Sequence, residues 1–245
     1  MNTARQYEHN AECAHGIWDD QSVCRLKTAY HRKNIFKRIE DSSCDKSKLR
    51  MLEFGPGLGC LIDLVHSCWP DAEYHTADVD PGLLKALSER FPSLRTHQLQ
   101  GSDELERIEG QFDVIAAADV WEHLLQSEAL AYTAWCWQRL APGGMLILQT
   151  PNWGCPVTPA TFYSDLTHRT ALNEESIRQL FRSAGIPGKA TVVLPRKTPG
   201  FLGGIRDGLN GLFGLFYRLV FIFFGAVRLR IFSPDLIAIA RKPTP

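Results

Sequence analysis

The sequence predicts an α/β fold built on a parallel sheet, and three observations carry that expectation. Across residues 49–152 strand-like and helix-like patterns alternate, the arrangement of right-handed βαβ crossovers. The run Met51-Leu52-Glu53-Phe54-Gly55-Pro56-Gly57-Leu58-Gly59 is apolar, then acidic, then marked by three alternating glycines. It reads as a buried strand entering a tight turn at a helix start, where backbone N–H groups are free to meet a ligand. Further along, Tyr74-His75-Thr76-Ala77-Asp78 reads as a second strand ending in an acid, with Pro81 opening a helix.

Residues 1–48 are polar and rich in charge, with Trp18 and Tyr30 as aromatic anchors. Within 22–40, Val23, Leu26, Tyr30, Asn34 and Ile35 give a partial apolar face, so one or two helices are expected there as a cap that closes a ligand pocket. At the glycine turn, positive φ is accessible and no Cβ stands between main chain and ligand. A dinucleotide fingerprint G-x-G-x-x-G places its third glycine at position 60, which is Cys60, so the pattern is E-x-G-x-G-x-G instead. Helices are expected near 60–67, 82–90 and 127–140. A carboxylate at the tip of the second strand, Asp78, suits two hydrogen bonds from ribose hydroxyls.

The stretch 151–171 holds Pro151, Gly154, Pro156 and Pro159 and reads as a loop over the C-terminal edge of the sheet. Asn173 has the character of an N-cap, with Glu174 and Glu175 in the first turn, and Gly185 stops that helix after Ser183. Residues 190–194 and 235–240 read as strands, with an insertion between them. The resulting division is a cap (1–48), a core (49–198), an apolar insertion (199–230) and a last strand with its tail (231–245).

The insertion holds the most apolar run of the chain, 211–227, with Arg218 at its middle. A charge there argues against a membrane-spanning helix. Arg206, Asn210, Gly214 and Arg218 recur at i, i+4 steps as a narrow polar stripe, and Arg228 and Arg230 follow. That pattern suits a helix lying in a membrane interface through residues 205–230, its arginines toward head groups. A homodimer or core-covering helix is the competing role.

Of the 245 residues, Lys+Arg and Asp+Glu number 27 each, so no net field steers the chain toward nucleic acid. The 7 cysteines are odd in number and hold no C-x-x-C pair, the usage of a reducing compartment rather than a disulfide framework or zinc site. The polar start lacks an apolar signal segment, and a cytoplasmic location is expected, with attachment to the inner face of the membrane through the insertion.

The E-x-G-x-G-x-G turn resembles motif I of the class I S-adenosylmethionine-dependent methyltransferases. The segment Phe112-Asp113-Val114-Ile115 through Asp119-Val120-Trp121-Glu122-His123-Leu124 is similar to that family's fourth strand and the residues after it. Leu140-Ala141-Pro142-Gly143-Gly144 is similar to its L-x-P-G-G turn into strand five. The resemblance covers residues 49–185. It implies a Rossmann-like seven-stranded sheet, mostly parallel with the last strand antiparallel, and S-adenosylmethionine as cofactor. It also implies site residues. Glu53, Phe54, Gly55, Pro56, Gly57 and Gly59 form the turn at the methionine end, and Asp78 takes the ribose. Val79 packs on the adenine, Ser102 or Asp103 meets its amino group, and Asp119 lies near the methionine moiety.

Methyl transfer to oxygen needs alignment and a base. His123 resembles the histidine of the E-H pair in O-methyltransferases acting on quinone precursors and sugars, although a backbone-bonding role at a helix start is equally open. His168, in Asp165-Leu166-Thr167-His168, resembles a D-x-T-H segment of methyltransferases in polysaccharide assembly, with Asp165 orienting the imidazole. His9, His15, His31, His66, His75 and His97 have no constellation around them, and no metal site is suggested. The expected function is O-methylation of a small or lipid-linked acceptor, glycan or quinone-like. The alternatives are a catalytically silent partner-binding fold and an NAD-dependent oxidoreductase, the latter disfavoured by Cys60.

Overall fold

The strands β1 (Arg50–Phe54), β2 (Glu73–Asp78), β3 (Arg95–Gln98), β4 (Phe112–Ala118), β5 (Leu140–Pro151), β6 (Thr191–Pro195) and β7 (Asp235–Arg241) form one sheet in the order β3-β2-β1-β4-β5-β7-β6. This computed structural model describes residues 20–42, 44–224 and 229–244. All pairings from β3 to β5 are parallel, and β7 runs antiparallel to both β5 and β6. The chain steps outward from β1 to β3, then returns to lay β4 against the other side of β1. That reversal makes the C-terminal edge between β1 and β4 the switch point where open α/β sheets bind ligands.

Both faces of the sheet are covered, which explains why the central strands read as continuous apolar runs. Leu52 and Phe54 of β1 join Trp121, Trp135 and Phe181 on one side, while Met51 joins Ile35, Ile62 and Tyr74 on the other. The main helices are α1 (Asp20–His31), α2 (Cys60–Cys68), α3 (Pro81–Arg90), α4 (Gln126–Arg139), α5 (Thr158–Phe162), α6 (Glu174–Ser183) and α7 (Gly200–Phe223). Their starts follow local chemistry. Asp80 accepts from the N–H groups of Gly82 and Leu83 at the head of α3, and Asn173 accepts from those of Glu175 and Ser176 at the head of α6.

Three regions differ from the sequence reading. The segment 20–40 is one continuous helical run, in which a π-helical stretch (Arg32–Phe36) joins α1 to Lys37–Glu40. The wider π turn resets the buried face, so Asn34, Ile35, Phe36 and Ile39 are covered while Leu26 is exposed. The expected loop 151–171 contains α5, anchored by the buried Thr158, whose hydroxyl donates to the Pro234 carbonyl at 3.2 Å.

The third difference concerns the insertion. It is helical, as α7, but its polar stripe does not face outward as a unit. Gly203, Asp207, Asn210, Gly214, Tyr217 and Phe221 form the covered side, with Tyr217 and Phe221 against the Phe232 ring. Arg206 donates to the Tyr30 hydroxyl and to Thr198 Oγ1, so its guanidinium is committed to the protein. The docked stripe follows 3-and-4 spacing, and small or amphipathic residues on it admit Phe232 closely. Arg218 is exposed, and Arg228 lies outside the described residues together with Trp18, His9, His15 and the rest of 1–19. Among the described residues no helix is long and apolar enough to cross a membrane.

Candidate active site

The glycine turn at the end of β1 is tied to β2 by the Gly55 N–H, which donates to the Ala77 carbonyl at 3.0 Å. Gly55, Gly57 and Gly59 all have positive φ, at 65°, 50° and 72°. Their surroundings separate them. A Cβ on Gly55 would stand 2.4 Å from Val120 Cγ2, and one on Gly59 would stand 3.0 Å from Leu87 Cδ2. A Cβ on Gly57 would meet nothing within 4 Å, so this main chain looks onto open space. Asp78, at the tip of the neighbouring strand, accepts from the Asp80 N–H at 3.0 Å. Burial holds its carboxyl above the usual carboxylate range, against the backbone bonds from Asp80 and Val79. Val79 is half-buried beside it. Ser102 and Asp103 line, with Trp135 and Gln138, a surface cavity of about 310 Å³.

Glu53 is buried, and the Tyr74 hydroxyl donates to its Oε2 at 2.7 Å. Burial pushes its carboxyl up to about 8, opposed by that hydrogen bond and by the charge of Lys27. Lys27 sits on α1, so the cap brings a cation toward the acid of the glycine strand. His31, at the end of the same helix, is half-buried, and its Nδ1 has no partner. Burial pushes its imidazole down to about 4, against the attraction of Asp119. The sequence reading left His31 without a constellation; the structure puts it in the field of the cleft.

Asp119 follows β4 with a φ of 58°, the one non-glycine residue in the left-handed region among those described. Such strain is retained where the surroundings over-determine it, often at functional sites. Gln149 fixes it from β5: Gln149 Nε2 donates to both carboxylate oxygens at 3.1 and 3.2 Å, and the Gln149 carbonyl accepts the Asp119 N–H.

Just beyond, the loop 165–170 is stitched to the end of β4. The Glu122 carbonyl accepts from the N–H groups of Arg169 and Thr170, and the Thr170 hydroxyl donates to the Leu124 carbonyl. These bonds bring His168 against His123, with ring centroids 4.7 Å apart. Thr167 Oγ1 lies 2.8 Å from His123 Nδ1 and donates to Asp165 Oδ1 at 2.6 Å. A hydroxyl has one proton, so His123 Nδ1–H is the donor to Thr167 and the lone pair falls on Nε2. His168 Nδ1 faces the Phe162 carbonyl at 2.8 Å, which fixes the same tautomer.

Burial lowers the His123 imidazole, with His168 adding like-charge repulsion and Asp165 opposing. Glu122 is fully buried; Thr150 donates to its Oε2 at 3.2 Å, and Oε1 has no partner. Burial, then the charge of Asp119, raise its carboxyl well above the usual range.

The structure therefore gathers His123, His168 and Asp165 into one cluster beside Asp119, on the same edge as Gly55 and Asp78. One detail differs from expectation. Asp165 orients His123 through Thr167, while its Oδ2 is 3.9 Å from His168 Nε2, whose ring is set by Phe162. Sequence reasoning missed Tyr74, Glu122, Gln149, Thr167 and His31. Glu122 was the most accessible of these, because a charged residue inside an otherwise apolar strand-end segment needs a partner.

Residues 52–146 match the family model described as a methyltransferase domain. No curated protein matches the chain in sequence. Among solved structures, the chain is similar to a SAM-dependent methyltransferase from Archaeoglobus fulgidus, with 16% identity over 89% of this chain and 94% of that one and a TM-score of 0.65. An O-methyltransferase family protein from Burkholderia thailandensis matches 96% of this chain at 13% identity, with a TM-score of 0.57. Phosphoethanolamine N-methyltransferase 2 of Haemonchus contortus, in complex with S-adenosyl-L-methionine, matches 85% at 16% identity, with a TM-score of 0.56. The chain spans 63% of the Burkholderia protein and 52% of the Haemonchus protein. At such identities these likenesses speak for the fold.

Proposed function

We propose, from the premise that this chain is a class I S-adenosylmethionine-dependent methyltransferase, that it methylates a hydroxyl of a small or lipid-linked acceptor, glycan or quinone-like. The residues present fit the cofactor. The open space at the Gly57 Cβ position is a cradle that a side chain would fill, and Asp78 stands at the adjoining strand tip to accept ribose hydroxyls. When bound, S-adenosylmethionine supplies a methyl on a sulfonium, and the S–C electron pair returns to sulfur as the acceptor oxygen bonds to carbon. The chain's own residues then have two tasks: to hold the acceptor oxygen in line and to take care of its proton.

One observation carries the hydroxyl reading. The Asp165–Thr167–His123 relay and the Phe162–His168 bond preset two imidazoles with their Nε2 lone pairs in one cluster. A hydroxyl, whose proton leaves as its oxygen attacks, is suited to a neutral imidazole as base. His123→Ala and His168→Ala each lower turnover roughly 10²–10⁴-fold while cofactor affinity holds. Wild-type turnover in both variants across pH 6–9 contradicts the role.

The membrane side of the proposal rests on α7. Phe201, Leu212, Phe216, Leu219, Ile222 and Phe223 are all more than half exposed, on a helix whose other side is docked. A patch of this extent on a water-soluble monomer marks an interaction surface. The exposed Arg218 and Arg230 favour anionic head groups over a second copy of the same apolar face. We infer peripheral attachment to the cytoplasmic leaflet, which presents the acceptor. Wild-type protein should sediment with anionic vesicles, and a variant with Phe213→Ser, Phe216→Ser and Phe223→Ser should remain in the supernatant. Equal partition of both, with a dimer in the wild type alone, assigns α7 to dimerisation.

A further inference from the structure

Among the described residues, one group of three metal-ligating side chains converges: Glu122, His123 and His168, with one ligand atom from each within 4.8 Å of the others. We propose that this cluster is a binding site for a first-row divalent cation of the zinc type, held by Glu122 Oε1 and the Nε2 atoms of His123 and His168. The sequence showed no metal signature because His168 lies far along the chain from the adjacent pair Glu122 and His123. It is brought to them by the bonds of Arg169 and Thr170 to the Glu122 carbonyl, of Thr170 to the Leu124 carbonyl, and between Thr167 and His123.

The outer partners support this assignment more strongly than proximity does. A metal-binding imidazole is held by a hydrogen bond from its other nitrogen, which fixes both tautomer and ring orientation. Both histidines have that support. His123 Nδ1 donates to Thr167, whose hydroxyl is anchored by Asp165, and His168 Nδ1 donates to the Phe162 carbonyl. The third ligand atom is the buried Glu122 Oε1, which no protein group satisfies, while Oε2 is held by Thr150. An unsatisfied buried carboxylate oxygen is costly, and a cation removes that cost.

The surrounding charge agrees. Asp119 lies close enough to act on Glu122, and Asp165 Oδ2 is 3.9 Å from His168 Nε2, so carboxylates crowd two imidazoles. Zinc–ligand bonds of about 2.0–2.1 Å put tetrahedral ligand atoms roughly 3.4 Å apart, so each atom needs to move by no more than about 1 Å. Two histidines and one carboxylate suit zinc or cobalt better than magnesium, which prefers oxygen.

Three protein ligands leave a coordination position open. Resting on the hydroxyl reading above, the ion takes over the imidazoles' part toward the proton: it binds the acceptor oxygen and acidifies its proton, which leaves to water, and the two Nε2 lone pairs serve as ligands instead of as the base. The ion site itself is tested without turnover. Full-length protein, stripped with chelator, is titrated with Zn²⁺, Co²⁺ and Mg²⁺ by calorimetry, and the cobalt form is read by its visible absorption. One equivalent of Zn²⁺ or Co²⁺ should bind, with a cobalt spectrum of low coordination number and far weaker Mg²⁺ binding.

His168→Ala, at a half-buried position, should weaken Co²⁺ by at least about 100-fold. Thr167→Val, which removes only the outer partner of His123, should weaken it roughly 10–100-fold. Glu122→Gln should match His168→Ala if it folds, as judged by circular dichroism and cofactor affinity. Sub-stoichiometric binding in the wild type, or equal Co²⁺ affinity in wild type and His168→Ala, overturns the ion site. If turnover still falls in His168→Ala under that outcome, the hydroxyl reading survives on its own. Full ion binding without an O-methylated product would leave the site standing and remove that reading instead.

Discussion

Gly57 separates what the glycine turn does for the fold from what it does for the cofactor. Gly55, Gly57 and Gly59 share positive φ, yet only at Gly57 does an added Cβ meet nothing within 4 Å. Gly57→Ala therefore costs the folded protein the left-handed penalty alone, about 1–2 kcal/mol. Gly55→Ala bears the same penalty and also drives a methyl group to 2.4 Å from Val120 Cγ2, so it forces the Val120 side chain to shift. If the cofactor presses on this main chain, the Gly57 methyl takes the space it needs, and affinity should fall by at least tenfold, or about 1.4 kcal/mol. Calorimetric titration with S-adenosylmethionine, beside urea denaturation of both variants, measures the two quantities separately. The expected pattern is a modest stability loss with a large affinity loss for Gly57→Ala, and a large stability loss for Gly55→Ala. Unaltered cofactor affinity in a folded Gly57→Ala protein refutes the assignment of this turn to the cofactor.

Other outcomes follow from the same geometry. Asp78→Ala removes a charged acceptor of two ribose bonds and should weaken the cofactor by roughly 1.5–3 kcal/mol per bond, read by calorimetry; unchanged affinity in a folded variant excludes Asp78 as the ribose ligand. Burial raises the Asp78 carboxyl, so protonation begins at higher pH than for a free aspartate and cofactor affinity should fall early on acidification; a flat profile from pH 7 to 4 contradicts this. The Glu53 carboxyl titrates at about 8 in the folded chain and near 4.5 when unfolded, so the folded state binds more protons between those values and stability must fall as pH rises through that window. Glu53→Gln should remove this slope, leaving the variant relatively more stable at pH 8 by up to roughly 5 kcal/mol, while a parallel pH dependence in urea denaturation denies the effect.

The central sheet was legible because its physics is local. Met51–Phe54 and Val114–Ala117 are covered on both faces and therefore, Glu53 apart, run apolar without alternation, and Pro81 and Asn173 mark their helix starts by local chemistry. The glycine turn after β1 was legible for a related reason: glycines at fixed spacing answer a demand of backbone geometry, and all three have positive φ. The histidine cluster was only partly so. His123 and His168 stood out as residues, but Thr167 as the link between Asp165 and His123 depends on how loop 165–170 bonds to the Glu122 carbonyl. The positive φ of Asp119 has no sequence marker, since aspartate is among the residues that tolerate this region but few aspartates adopt it. For α7, periodicity gave the helix but not its rotation, which is set by Phe232 and Thr198 from outside the helix.

Which adenosine-containing cofactor the β1–β4 edge accepts is the most direct question. Calorimetric titration of the full-length protein with S-adenosylmethionine, and separately with NADH, decides it. The predicted result is one equivalent of S-adenosylmethionine bound, lost in Asp78→Ala, with no heat from NADH. Saturable NADH binding, or no S-adenosylmethionine binding by a protein that unfolds cooperatively, would contradict it.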